Sequence, residues 1–266
     1  MSRPEKRGHI YEEPRLYDLA FSFRDIPEEC DGLLALARAH GVIKPKRVLE
    51  IACGPGHHLR EFAKRGIDAV GIDLNAAMLG YAKRLAKLDG LGVELRRADM
   101  RSFRLTKRAD IAMCLFDSFA HCTSDEDGIA ALRSTGTAVR RGGLLVLELT
   151  HPADYFDPGH GRTLGHWTQR HPGVVLDARY DTSARDAVAE TYRATLTIEA
   201  KYADARRSRR IVGKQLHRMW LRGSVSNIAA RSGAFDVVGW YGDLDVGVPF
   251  TMKMDSWRMV VVMRRR

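Results

Sequence analysis

No stretch of this sequence approaches the roughly 18 consecutive apolar residues that a membrane-spanning helix requires, which excludes a helical membrane protein and a membrane partner. Cysteine is sparse: Cys30, Cys53, Cys114 and Cys122 are the whole complement, and no two stand as CxxC. Zinc-ligand spacing is therefore missing and no metal is expected; the thiols read as reduced and mostly buried. The opening residues, MSRPEKRGHIYEEPR, lack the apolar core of a secretion signal, so a cytoplasmic protein is expected. Internal repeats and low-complexity tracts are lacking too. What remains is ordinary for a globular chain: 266 residues, 45% hydrophobic and 29% charged, enough for one large α/β domain or a domain with an insertion.

The net charge of +10 is local. Residues 201–222 carry eight basic side chains (Lys201, Arg206, Arg207, Arg209, Arg210, Lys214, Arg218, Arg222) against one acid, Asp204, and the tail adds Arg264, Arg265 and Arg266. Elsewhere acids and bases balance. Such a segment suits an anionic substrate or nucleic acid, or is a solvated turn with a frayed tail.

Residues 11–41 read as a Tyr-rich segment followed by a helix. Pro27, Glu28 and Glu29 suit its first turn, and Leu33, Leu34, Leu36 and Ala37 supply an apolar face. An alternating pattern follows. Residues 47–52, 68–73, 93–97, 110–116 and 144–149 read as strands; 57–65, 76–88 and 125–140 read as helices, the last ending at Gly142-Gly143. Strands spaced by helices predict a doubly wound, mostly parallel α/β sheet with right-handed crossovers. After Thr150 the pattern changes. Residues 151–172 look like loop; 174–180, 188–202 and 209–221 look like strands, with Tyr192, Ala194, Leu196 and Ile198 sharing one face. An antiparallel β-insertion over 151–222 is expected, then a helix over 224–232 and strands over 236–240 and 257–263.

The motif with most chemical content is Glu50-Ile51-Ala52-Cys53-Gly54-Pro55-Gly56, with Asp73 seventeen residues beyond Gly56. A strand that ends in G-x-G and opens a helix brings bare backbone to a ligand, and the acid ending the next strand can accept from ribose hydroxyls. Asp99 ends the third strand in the same way. A dinucleotide site wants a third glycine at position 59, which is Leu59, so pyrophosphate packing and dehydrogenase activity are not supported.

These residues resemble class I S-adenosylmethionine (SAM)-dependent methyltransferases, whose E/D-x-x-x-G-x-G loop matches Glu50 to Gly56. The resemblance implies a seven-stranded Rossmann-like sheet and SAM as cofactor. It implies that Glu50, Cys53, Gly54 and Gly56 line the SAM loop, with the glycines at the methionine part, and that Asp73 binds the ribose. Leu74 and Met78 would flank the adenine, although Met78 fits helix core equally. Asp99 and the Met100 N–H would meet the adenine edge. Residues 114–117, with Phe116, would line the methyl-transfer face.

Phe116-Asp117-Ser118-Phe119-Ala120-His121 is not the (N/D)-P-P-(Y/F) motif of many base-modifying enzymes, which lowers the nucleic-acid reading. It is similar to the F-x-S-x-x-H segment of small-molecule methyltransferases, including amino-sugar N-methyltransferases. That resemblance implies a small-molecule acceptor methylated on nitrogen or oxygen. It also implies His121 as base or orienting group, Tyr17 in an N-terminal helical cover over 1–41, and Asp117 facing the substrate. Trp167, His217 and Trp220 would wall the acceptor pocket, although core packing suits each of them better, and Arg24 would meet the SAM carboxylate or is merely exposed. Two other readings stay open: an RNA or protein methyltransferase docking through 201–222, and a non-catalytic SAM-binding protein. The oligomeric state is left open, with a homodimer admissible.

Overall fold

The computed structural model describes residues 10–156, 163–204 and 208–266. Arg206, Arg207 and the glycines and proline at 158–161 lie outside the described residues. The chain divides into two units, one of residues 25–156 and 218–266, the other of the described parts of 1–24 and 157–217.

After α1 (Pro14–Ala20), which belongs to the smaller unit, the chain forms α2 (Ile26–Ala39), β1 (Arg47–Ile51), α3 (His57–Lys64), β2 (Asp68–Asp73), α4 (Ala76–Leu88), β3 (Glu94–Arg97), β4 (Ala109–Cys114), α5 (Asp125–Ala138), β5 (Val139–Thr150) and the short α6 (Pro152–Phe156). Then come β6 (Thr163–His171), β7 (Val174–Asp186), β8 (Thr191–Tyr202) and β9 (Ser208–Arg218), followed by α7 (Arg222–Ser232), β10 (Phe235–Tyr241) and β11 (Arg258–Arg265). Local chemistry sets the helix starts. Asp25, Asn75 and Ser124 each accept a backbone N–H three residues on, from Glu28, Met78 and Asp127.

In the larger unit the seven strands run β10-β11-β5-β4-β1-β2-β3. The pairings from β5 to β3 are parallel, while β11 runs antiparallel to both β5 and β10. Period-2 alternation divides the side chains between two cores. Leu49, Ile51, Ile72, Leu145, Leu147 and Val261 pack with α5 and α7 on one face. Val48, Ile111, Met113, Val146, Val260 and Val262 pack with α2 and α3 on the other. Closeness of α3 to β2 needs a bare backbone at Gly71. A Cβ there would lie 2.4 Å from Leu59 Cδ1 and 2.7 Å from Cys53 Sγ. Gly71→Ala is therefore expected to destabilise by about 1–3 kcal/mol through overpacking. A denaturant midpoint equal to wild type, at unchanged slope, would show that this contact yields freely.

Two local expectations change. The helix expected over 125–140 stops at Ala138, and β5 begins at once at Val139. Gly142 and Gly143 serve a strand irregularity rather than a helix end: the β4/β5 register slips between Ala109 and Ile111, Gly142 has φ +73°, and a Cβ on Gly143 would meet the Asp110 carbonyl at 2.7 Å. The stretch expected as loop over 151–172 holds α6 and β6. Pro152 opens α6, and β6 (TLGHWTQRH) is an edge strand held by its backbone ladder to β7, so it shows no apolar alternation.

The smaller unit is an antiparallel sheet in the order β6-β7-β8-β9. On β8, Tyr192, Ala194, Ile198 and Ala200 are buried and Leu196 half-buried, the face that the alternation predicts. Ile10, Leu16 and Ala20, from the first turn and α1, pack on Val174, Leu176, Ala178, Ile198 and Ile211.

Candidate functional site

Strand order reverses between β1 and β4, so the connections that leave their carboxyl ends diverge and open a crevice, the usual ligand position in such sheets. At β1 the exit is a chain of left-handed turns: Ala52 (φ +55°), Gly54 (φ +50°) and Gly56 (φ +71°), the last opening α3. A Cβ on Gly54 would find nothing within 4 Å, whereas one on Gly56 would come within 3.3 Å of Ala82. Bare backbone at 54 thus borders open space, and at 56 it lets the loop sit tight on α4. Cys53 is buried beneath the loop, and burial pushes its thiol well up, leaving it inert.

Asp73, at the end of β2, anchors that loop. Its Oδ2 accepts the Gly54 N–H at 2.8 Å and its Oδ1 the Asn75 N–H at 2.7 Å. The Leu74 N–H also favours the charged carboxyl, so of about four acceptor positions this half-buried group keeps about one for a further hydrogen bond. Burial pushes the carboxyl pKa up; the Asn75 and Gly54 N–H bonds oppose this, and the Glu50 charge adds to it. Leu74 is 61% exposed and Met78 only 2%. Asp99 is gripped by Arg101, whose Nη2 lies 2.7 Å from Oδ2 and whose Nε lies 3.0 Å from Oδ1. That guanidinium holds the Asp99 carboxyl below the usual range and also reaches Asp127 at 2.9 Å. Met100 is partly buried beside Cys122, 3.6 Å between sulfurs.

At the end of β4, Phe116 (φ +56°) and Asp117 (φ +55°) are consecutive left-handed residues without being glycine. Each costs on the order of 1–3 kcal/mol and persists only where its surroundings hold it. Glu148 on β5 does so: its Oε2 accepts the Phe116 N–H at 3.1 Å and its carbonyl the Asp117 N–H at 3.2 Å. Asp117 Oδ1 in turn accepts the Thr150 N–H at 3.1 Å. The turn Ser118–His121 follows and carries His121 into an exposed position. The mass of protein around the ring still desolvates it and lowers its pKa from the ordinary 6.5. Trp220 takes the core-packing role rather than that of a pocket wall. It is 1% exposed, stacked 5.3 Å from Phe119, and bonded to the Phe119 carbonyl.

Beneath the loop lies a buried charged chain that the sequence pattern does not announce. His58 on α3 bridges Glu50 (Nδ1 to Oε1, 2.9 Å) and Glu29 on α2 (Nε2 to Oε2, 2.8 Å). Arg258 on β11 stands 3.9 Å from Glu29 and 3.1 Å from Glu148. Its Nε faces Asp243 at 3.1 Å as an ion pair off the hydrogen-bond line, and its guanidinium stacks on Trp257 at 3.6 Å. Glu50 is 5% exposed and His58 4%. Glu50 Oε2 is buried with no hydrogen-bond partner among the described residues.

Residues 48–143 match the methyltransferase-domain family. This segment resembles a methyltransferase domain. A Streptomyces fradiae relative, dTDP-3-amino-3,6-dideoxy-alpha-D-glucopyranose N,N-dimethyltransferase, is 34% identical over 54% of this chain and 56% of its own. The chain thus spans about half the length of the curated relatives it matches first, 56% and 55% of their lengths. Among solved structures, Streptomyces venezuelae DesVI has a TM-score of 0.78 at 20% identity, covering 95% of this chain and 98% of that one. A SAM-bound amino pentose methyltransferase of Micromonospora echinaspora has a TM-score of 0.70 at 22% identity, over 100% of both chains. Both share the fold.

The residues of this segment fit SAM, the cofactor that the resemblance implies. The open backbone at Gly54, the spare acceptor capacity of Asp73 and the orphaned Glu50 oxygen are what a ribose and a cationic amino-acid end require. An adenine amino group at Asp99 has to share that carboxylate with Arg101, a partner absent from the sequence-based expectation. The remaining expected residues belong to the smaller unit. Tyr17 stacks on Phe21 at 4.7 Å, and Trp167 on Phe21 at 5.2 Å with its Nε1 donating to the Ala20 carbonyl at 2.7 Å. His217 sits between the hydroxyls of Tyr192 (3.3 Å) and Tyr180 (3.4 Å). Arg24 is half-buried. Among the described residues no cluster of His, Cys, Asp and Glu could hold a metal, and no helix is long and apolar enough to cross a membrane.

Proposed function

We propose that the protein is a cytoplasmic enzyme that methylates an amine nitrogen of a small molecule, of the amino-sugar kind named for its relatives. When bound, SAM supplies a methyl group already activated on a sulfonium sulfur, so the chain's task is positioning and proton removal. One observation carries the reading: an exposed histidine with a lowered pKa just past the strained turn that ends β4. Desolvation disfavours the imidazolium, so His121 stays neutral, and able to take a proton, to lower pH than a free histidine. Such a ring suits the proton that an amine releases as its lone pair forms the new N–C bond. Glu50, Cys53, Gly54, Gly56, Asp73, Leu74, Asp99 and Met100 are the SAM contacts in this reading, and Phe116 and Asp117 border the transfer face.

Three described arginines of the basic segment are already paired with acids of this chain. Arg209 pairs with Glu13, Arg210 with Glu199 at 3.4 Å and Arg218 with Asp125 at 2.8 Å. The test is His121→Asn with an amino-sugar acceptor. It is expected to lower kcat by about 10²-fold or more, the range of general-base loss, while leaving SAM affinity alone. The acid limb of the wild-type kcat profile should fall below pH 6.5 and vanish in the variant. An unaltered kcat would remove His121 as the base.

A further inference from the structure

The buried bridge Glu29–His58–Glu50 holds one imidazole between two carboxylates. Both imidazole nitrogens lie 2.8–2.9 Å from carboxylate oxygens, which accept only. A neutral ring offers one donor, so a second proton must sit in the bridge, on the ring or on one of the carboxyls. A buried carboxylate oxygen that no donor meets is costly unless a ligand supplies one. His58 ties down Glu50 Oε1, and Oε2 is the buried carboxylate oxygen left without a partner at the root of the 52–56 loop. Its charge reaches the neighbouring groups of the site, raising both the Cys53 thiol and the Asp73 carboxyl.

We propose that His58 is a positioning residue for the cofactor: held by Glu29, it fixes Glu50 so that the free Oε2 receives the α-ammonium group of SAM's methionine end. The inference rests on the SAM reading above and gives it a specific electrostatic device. Glu29 acts at one remove, as the anchor of the imidazole.

The experiment compares two ligands on the full chain by calorimetry. One is S-adenosylhomocysteine, which has the amino-acid end; the other is 5′-methylthioadenosine, which has the same nucleoside and lacks it. In His58→Ala the affinity for S-adenosylhomocysteine is expected to fall at least about tenfold, consistent with losing one well-aimed charge-assisted hydrogen bond. Methylthioadenosine affinity should stay within about twofold, since its contacts lie elsewhere. His58→Asn, which returns an amide donor toward Glu50, should recover part of the loss. Glu29→Gln should show a smaller loss of the same selectivity, and these two variants carry the test if the alanine variant fails to fold. Equal weakening of both ligands would mean that His58 merely supports the loop, and unchanged affinity for both would mean that it does nothing for the site; either overturns the proposal. Wild-type protein that binds neither ligand would instead overturn the SAM reading itself.

Discussion

Asp73→Ala is expected to abolish measurable SAM binding while the protein remains folded. The side chain accepts the Gly54 and Asn75 N–H groups, is also favoured by the Leu74 N–H, and keeps an acceptor position for a ribose hydroxyl. A hydrogen bond to a charged group contributes about 1.5–3 kcal/mol, so losing one toward the ligand weakens binding by at least about tenfold. Loss of the loop anchor adds to this. Asp73→Asn separates the two effects, because its carbonyl oxygen keeps one backbone N–H while the charge is gone. It should bind SAM weakly and unfold at nearly the wild-type temperature. Burial raises the Asp73 pKa, and the protonated carboxyl accepts hydrogen bonds poorly. Wild-type affinity should therefore fall on acidification at a pH above the ordinary carboxylate value of 3.8. Unchanged affinity in the alanine variant would remove the ribose role.

The largest stability effect is expected at Glu148. Its buried carboxylate joins the buried Arg258 to the half-buried Phe116 N–H. Glu148→Ala leaves the guanidinium with Asp243 at 3.1 Å and the more distant Glu29 at 3.9 Å. Breaking a buried pair from one side costs about 3–5 kcal/mol, because the remaining charge has lost its compensation. Releasing the left-handed pair Phe116–Asp117 also lets the transfer face relax. We expect a large drop in the denaturant midpoint. Where enough protein stays folded to assay, kcat should fall more than SAM affinity. Glu148→Gln, which still accepts from Phe116 N–H, should fall between the two. A midpoint within experimental error of wild type would show that Arg258 finds full compensation in Asp243 and Glu29.

Covalent sequence carries most of the information wherever the relevant physics is short-range. The exit of β1 into α3 needs positive φ and missing side chains within five residues, and Gly54 and Gly56 declare both. The doubly wound sheet follows from apolar runs alternating with 3.6-period helices, and Asp73 stands at a strand end that this pattern locates. Strands whose order comes from backbone pairing are less visible. β6 has a polar edge sequence, and Gly142-Gly143 looks like a helix stop until β4 is seen beside it. Buried electrostatics is the least visible of all. Glu29 reads as an ordinary first-turn acid, and His58, Glu148 and Arg258 as scattered polar residues. They meet because α2, α3, β5 and β11, from distant parts of the chain, converge on one face of the sheet. A charge interacts through space with whatever folding brings near it. Linear spacing therefore says which groups are available, and packing settles which of them share a proton, which pin the strained turn and which oxygen is left for the ligand.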